Sequence, residues 1–187
     1  LLIDNQDTAA VGGATFQRMN PMTGEVATSA AAATLDDVKR AVDSAAAAFP
    51  EWSQSAPKTR RTILLKAADL IEGRGDDFVS AMGAEVGATA GWAMFNVMLA
   101  ADMLREAASL TTQIQGDIIP TNRPGSMAMA IRQPAGVVLS MAPWNAPVIL
   151  GVRSLATPLA CGNTVVMKTS ELCPRTHRLI VETLHEA

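Results

Sequence analysis

Apolar residues recur at helical spacing through the first half of the chain and fall into short unbroken runs further on. Thr34 followed by Asp37 forms a capping box with Asp in the Glu position. Val38, Ala41, Val42, Ala45 and Phe49 then predict a helix that closes at Pro50. A second helix is expected from Pro57, a residue tolerated in a first turn, to Gly73, with Ile63, Leu64, Ala67, Leu70 and Ile71 inward. A third is expected over Asp76 to Val86 and a fourth over Ala90 to Gln115, stopping at Gly116. Met94, Val97, Met98, Ala101 and Leu104 give the fourth an apolar stripe of the kind that faces a core. Ahead of the helices, residues 1–33 read as short extended segments. Asn20-Pro21-Met22-Thr23-Gly24-Glu25 is a turn between two of them.

After Gly116 the period changes. Asp117 to Pro120 and Ser126 to Arg132 read as extended, separated by the turn Asn122-Arg123-Pro124-Gly125, and together predict a projecting hairpin or arm. Gly136 to Ala142 is an apolar run bounded by Gly and Pro, the pattern of a strand buried on both faces. Pro147 to Ala160 fits a helix, Thr164 to Lys168 a second buried strand, and Pro174 opens a last helix with Leu179, Ile180, Val181 and Leu184. Strand, helix, strand and helix at this spacing predict a βαβ unit with parallel strands. The fold class is α/β. Three regions are expected: strands and helices over 1–116, the arm over 117–135, and the start of a parallel sheet over 136–187.

Composition narrows the function. The chain has 187 residues, a net charge of −3 and no clustered basic face, so nucleic acid is not an expected partner. Lys58, Arg60 and Arg61 lie together but are expected to form a solvated helix face. Cys161 and Cys173 make neither a disulfide framework nor a zinc site, and His177 and His185 lack a third ligand at metal spacing. No signal peptide and no apolar run of 18 or more residues is visible, so a cytoplasmic protein without a membrane partner is expected. The chain opens at Leu1 and stops at Ala187 inside a helical pattern without a closing Gly or Pro, so it is expected to be a cut segment.

Ligands of open parallel sheets bind beyond the carboxyl ends of the strands. That places Pro143-Trp144-Asn145 and Thr169-Ser170-Glu171 side by side, both leading to helix N-termini where free N–H groups favour anions. Neither a G-x-G-x-x-G nor a G-x-x-x-x-G-K-[ST] signature is present. These residues alone leave two readings open. One is a ligand site. The other makes Asn145 a helix cap and Lys168 with Glu171 a surface ion pair.

Arg132-Gln133-Pro134-Ala135-Gly136-Val137-Val138, Pro143-Trp144-Asn145, and Ala160-Cys161-Gly162-Asn163-Thr164-Val165-Val166-Met167-Lys168-Thr169-Ser170-Glu171 with Pro174 resemble the aldehyde dehydrogenase superfamily in order and spacing. The resemblance extends over essentially the whole chain. It implies that Asn145 supplies a side-chain amide to the oxyanion hole, which holds the oxygen of a thiohemiacetal as hydride leaves. It implies that Met141, Ala142, Pro143 and Trp144 line the cofactor cleft, and that Lys168 and Glu171, with Thr169 and Ser170 between them, meet the adenosine ribose. A carboxylate there favours NAD, while the Lys168 ammonium leaves NADP possible. Thr169 stands where the family usually has Pro, which changes loop rigidity and not the polar groups.

Glu85 to Val97, Arg105 to Leu110 and Gln113 to Gly116 resemble more narrowly the dehydrogenases of aromatic aldehydes, the salicylaldehyde, benzaldehyde and vanillin group. This implies that Trp92 and Arg153 lie near the substrate tunnel, with Phe95 and Asn96 as weaker candidates. The family's cysteine nucleophile and general-base glutamate are expected beyond Ala187. Cys161 reads as an inert thiol, and Cys173 as part of the cofactor loop. The expected activity of the whole protein is NAD-dependent oxidation of an aldehyde, with this chain inactive by itself and its unpaired sheet edges leaving it poorly folded alone. Aliphatic or semialdehyde substrates, or a non-catalytic cofactor-binding homologue, are the alternatives. Residues 117–135 resemble the arm that family members exchange, implying a homodimer or homotetramer.

Overall fold

The computed structural model describes residues 1–187. Two short antiparallel ribbons come first: β1 (Leu2–Ile3) with β2 (Gln6–Asp7), and β3 (Thr15–Met19) with β4 (Val26–Ala31). Four helices follow, α1 (Leu35–Gln54), α2 (Pro57–Gly73), α3 (Gly75–Val86) and α4 (Ala90–Leu110). A hairpin of β5 (Asp117–Ile119) and β6 (Ala128–Ala130) projects next. The chain then forms β7 (Val137–Met141), α5 (Pro147–Ala160), β8 (Thr164–Lys168) and α6 (Pro174–Glu186). β7 and β8 pair in parallel, Val137 opposite Thr164 and Met141 opposite Lys168. The expected α/β architecture with its βαβ unit is therefore present. No helix is long and apolar enough to cross a membrane.

Local chemistry explains the element ends. The Thr34 hydroxyl accepts the Asp37 N–H, and the Asp37 carboxylate accepts the Thr34 N–H at 2.9 Å, completing the capping box of α1. The same carboxylate accepts the Val11 N–H, tying the N-terminal segment to α1. Backbone amides and the Thr34 hydroxyl hold it below the usual carboxylate range. α3 ends on Gly87 in the left-handed region, where a side chain would be strained. Gly116 is required for a different reason: a Cβ there would meet the Ala130 carbonyl oxygen at 2.3 Å, so the hairpin closes onto a bare backbone.

The core lies among α2, α3, α4, α5 and α6, built on Leu64, Ile71, Phe78, Met82, Val97, Leu104, Val152 and Leu179. Small residues let the helices approach. At Gly151 of α5 a Cβ would meet the Ile180 side chain of α6 at 2.5 Å.

Several expectations are corrected. α1 runs through Pro50 to Gln54, because Trp52 docks the last turn by donating Nε1–H to the Leu159 carbonyl at 3.2 Å. Val38 and Val42 on that helix are exposed. α4 stops at Leu110, five residues early. The Thr111 and Thr112 hydroxyls bond the carbonyls of Ala108 and Ser109 and compete with the next helical turn. Met98 is exposed and leaves the stripe. β7 is covered on one face only: Ser140 is buried and bonded to Ser154 of α5, while Leu139 and Met141 on the other face are 60% and 68% exposed.

Arg60 is the clearest departure from a solvated face. It is buried, donating Nε–H to the Ala160 carbonyl at 3.0 Å and Nη1–H to the Ser55 carbonyl and hydroxyl. Its guanidinium thus joins the start of α2 to the end of α5. Arg60→Leu should lower the free energy of unfolding by about 2 to 3 kcal/mol, since buried carbonyls lose charged donors. Arg61→Leu, at an exposed position, should change it by no more than about 0.5 kcal/mol. Urea unfolding followed by tryptophan fluorescence decides; equal midpoints for the two variants would remove Arg60 from the core. Gly116→Ala should open the hairpin, and faster hydrogen exchange at Ile118 and Met129 would report it, whereas unchanged exchange would refute the close approach.

Candidate functional site

The ladder register makes neighbours of the two strand ends. Met141 is the last paired residue of β7 and Lys168 of β8. Ala142 to Ala146 follow the first, and Thr169 to Cys173 follow the second, so the site residues expected after each strand are brought together at one edge of the sheet. Ala142 is buried, while Met141, Pro143, Trp144 and Asn145 are exposed. Trp144, 50% exposed, leaves its indole open beside them.

Three residues from other elements fix the turn after β7. Trp92, on the first turn of α4, donates Nε1–H to the Asn145 carbonyl at 3.4 Å. Asn96, one turn on, is wholly buried; its Nδ2 donates to the Trp92 carbonyl at 3.0 Å and its Oδ1 accepts the Ile149 N–H at 3.4 Å. Asn96 thereby caps the first turn of α5, which has no side-chain cap of its own. His177 of α6 completes the set, its Nε2 lying 3.2 Å from the Pro147 carbonyl. Asn145 is thus not the cap of α5. Its backbone is held while its side-chain amide points to no partner within the chain. Trp92 also stacks on Phe95 with ring centroids 5.6 Å apart and planes 22° from parallel. The pair forms an aromatic shelf beside Asn145.

The turn after β8 is equally ordered. Ser170 is buried; its hydroxyl accepts the Leu172 N–H at 3.2 Å, and its own N–H donates to His177 Nδ1 at 3.0 Å. Lys168 and Glu171 form an ion pair at 3.2 Å with both side chains mostly exposed. The residue's own backbone amide and the Lys168 ammonium hold the Glu171 carboxylate below its ordinary range. Thr169, where the resembled family usually has Pro, is half-buried.

The expectation that both following helices offer free N-termini is corrected. Glu85 of α3 is buried against α6 and takes the Arg175 N–H at 2.7 Å, the Thr176 N–H at 2.9 Å and the Thr176 hydroxyl at 2.8 Å. An anion would have to displace a carboxylate already in place. Arg153 lies further along α5, in an open groove of about 130 Å³ with Met103, Glu106, Ala107, Ala156 and Thr157. It is on the same helix as the Asn145 turn but roughly two turns down it.

Cys173 is buried, and desolvation pushes its thiol up to about 12, opposite to the depressed value of an activated nucleophile. His177 is buried too, and desolvation moves it down to about 4. The sequence alone gives His177 no task and makes Asn96 only a weak candidate near the substrate. Both carried a signal: His177 shares a helical face with Ile180 and Leu184, and Asn96 sits between Ala93, Val97 and Ala100. A polar residue on an apolar stripe must find its partners inside the fold.

The model of the aldehyde dehydrogenase family matches residues 8–187. Vanillin dehydrogenase of Pseudomonas sp. (strain HR199 / DSM 7063) is 61% identical over the whole chain, which covers 39% of that relative. The crystal structure of a salicylaldehyde dehydrogenase from Pseudomonas putida G7, complexed with salicylaldehyde, superposes with a TM-score of 0.98 at 46% identity, covering 100% of this chain and 38% of that one. An NAD-dependent benzaldehyde dehydrogenase from Corynebacterium glutamicum gives a TM-score of 0.92 at 32% identity, covering 97% of this chain and 41% of that one. The chain therefore spans about two fifths of the length of these relatives.

The buried histidine predicts an acid-sensitive fold. In the unfolded chain a histidine takes up its proton near 6.5, and in the folded chain His177 does so only at about 4. Between those values the unfolded state binds the extra proton. The contribution of His177 is therefore complete above pH 6.5 and lost as the pH falls toward 4, on the order of 3 kcal/mol in all. Urea midpoints between pH 4 and 7 should drop steeply for the native sequence and less for His177→Leu. Parallel curves would contradict a neutral His177.

Proposed function

Because the chain belongs to the aldehyde dehydrogenase family, we propose that the protein it is part of oxidises an aromatic aldehyde to the carboxylic acid with NAD as hydride acceptor. The observation that carries this reading is the turn after β7. Asn145 has its carbonyl fixed by Trp92 and its side-chain amide free, beside the stacked Trp92 and Phe95. An amide donor held in place before the reaction is what a developing oxyanion requires, and it carries no titrating proton. The aromatic shelf suits a ring substrate by offset or edge-to-face packing. The vanillin, salicylaldehyde and benzaldehyde dehydrogenases among the relatives support the aromatic class.

The residues after β8 fit a dinucleotide. Glu171 presents an exposed carboxylate to accept from ribose hydroxyls, and Lys168 beside it offers an ammonium. Met141, Ala142, Pro143 and Trp144 give the cleft an apolar floor at the end of the neighbouring strand. Thr169 and Ser170 shape the turn, the latter through its own hydroxyl and N–H. NAD supplies the hydride acceptor when bound. This chain's residues would orient it and keep the oxyanion donor in register, and the nucleophile and base would come from elsewhere in the protein. NADP is accepted less well on this reading, because the Glu171 carboxylate repels a 2′-phosphate. Arg153, in its exposed groove, and Trp92 are assigned to the substrate side. The remaining assignments are the boundaries 1–116, 117–135 and 136–187, the hairpin as an arm exchanged in a homodimer or homotetramer, and a cytoplasmic location.

The test is the rise of NADH absorbance at 340 nm with the full-length protein and a panel of aromatic and aliphatic aldehydes. Vanillin or salicylaldehyde should be turned over with the highest kcat/KM; no reduction with any aldehyde would refute the activity. Asn145→Ala should lower kcat by about two to three orders of magnitude, the usual cost of one oxyanion donor. Unchanged turnover would remove Asn145 from the oxyanion hole.

A further inference from the structure

The buried imidazole of α6 joins the two halves of the site. We infer that His177 is a positioning residue, locking the cofactor-side turn after β8 to the oxyanion-side turn after β7; this rests on the reading of those turns given above. Its Nδ1 accepts the Ser170 N–H at 3.0 Å, and its Nε2 lies 3.2 Å from the Pro147 carbonyl. An Nδ1 that accepts carries no proton, so the proton sits on Nε2 and is donated to Pro147. One neutral tautomer satisfies both contacts at once. A protonated ring would point a donor at the Ser170 N–H, and an apolar side chain would leave that buried N–H without its partner.

The surroundings keep the ring neutral. Lys168, at the end of β8, adds an unfavourable charge to the desolvation. The Cys173 thiol lies 3.9 Å from Nδ1 and 3.8 Å from Nε2 and is itself held protonated. Across from α6, the Glu85 carboxylate of α3 is occupied by the Arg175 and Thr176 amides. α5 presents Pro147 and Gly151, neither of which titrates. The ring packs over Gly151, where an added Cβ would stand 3.5 Å from its Cδ2, in ordinary contact.

The consequence is geometric. Ser170 lies between Lys168 and Glu171, in the turn that leads to α6; Pro147 lies two residues beyond Asn145. A ligand that spans both turns meets groups placed by the β7–β8 register and locked together by one imidazole. A core histidine that serves only packing would stabilise the fold without locking those turns together.

The experiment uses the full-length protein. Long-range proton–nitrogen spectra of the His177 ring should show Nδ1 unprotonated and Nε2 protonated from pH 7 down to pH 5. A proton on Nδ1, or a cationic ring at pH 6, overturns the bridge without any substitution being made. His177→Leu should weaken NAD binding, measured by calorimetry, about tenfold, roughly what one lost hydrogen bond is worth. His177→Asn, which retains an acceptor near the Nδ1 position, should recover part of that affinity. A folded His177→Leu protein with native NAD affinity and only a lowered unfolding midpoint shows a structural role and refutes the inference. Should His177→Leu not fold, His177→Asn and the ring spectra decide in its place. A native protein that binds no NAD refutes the cofactor reading, and the bridge then stands or falls on the ring spectra alone.

Discussion

The parallel ladder between β7 and β8 ends with Met141 opposite Lys168, and the neighbourhood of the turns that carry Asn145 and Glu171 follows from that pairing. A slip of one residue would turn each side chain to the other face of the sheet and separate the two turns. The register is pinned at both ends. At the start, the Asn163 side chain accepts the N–H groups of Ala135 and Gly136, and the Thr164 hydroxyl donates to the Ala45 carbonyl of α1. At the far end, His177 spans the turns themselves. α5 covers one face through Ser140 and Ser154. The sheet is thus held by specific polar contacts at its ends and by apolar packing on one side.

Polar groups on this scaffold fall into two sets with different physical lives. The buried set is paired and fixed. Asn96, Glu85, Arg60 and His177 each satisfy backbone groups that would otherwise be orphaned at a helix end or a tight turn. Desolvation makes breaking any one of them expensive. The exposed set, Asn145, Lys168 and Glu171, is held by backbone while its side chains stay available. Rigid support beneath free donors and acceptors is the arrangement that lets a site bind without reorganising first.

Local signals in the sequence stated the helices, the capping box at Thr34 and Asp37, the hairpin after Gly116 and the βαβ unit, because caps, periodicity and Gly or Pro punctuation act over a few residues. The neighbourhood of Asn145 and Glu171 followed from the rule for strand ends. What escaped were contacts between residues far apart in the chain. Arg60 reads as one of three surface cations until the Ala160 carbonyl, a hundred residues on, comes to meet it. Glu85 closes α6 from ninety residues away, so no pattern near Pro174 announces that its amides are taken. Pro50 fails to stop α1 because Trp52 finds Leu159. The exposed faces at Leu139, Met141 and Met98 escaped for the opposite reason. An apolar side chain states what it would bury against, and not whether that surface lies in the same 187 residues.

The Lys168–Glu171 pair shows why both readings of the strand ends were physically sound. It is a surface ion pair, as the simpler reading has it, yet that does not weigh against a ligand role. Exposed pairs contribute little to stability, since water and salt screen them and both side chains lose freedom to meet. Exchanging Glu171's ammonium partner for ligand hydroxyls therefore costs the fold little. The turn beneath is anchored separately, through Ser170 and His177, and does not need the pair to keep its shape. Separating the contact that binds from the contact that holds lets a carboxylate change partners while the loop carrying it stays still.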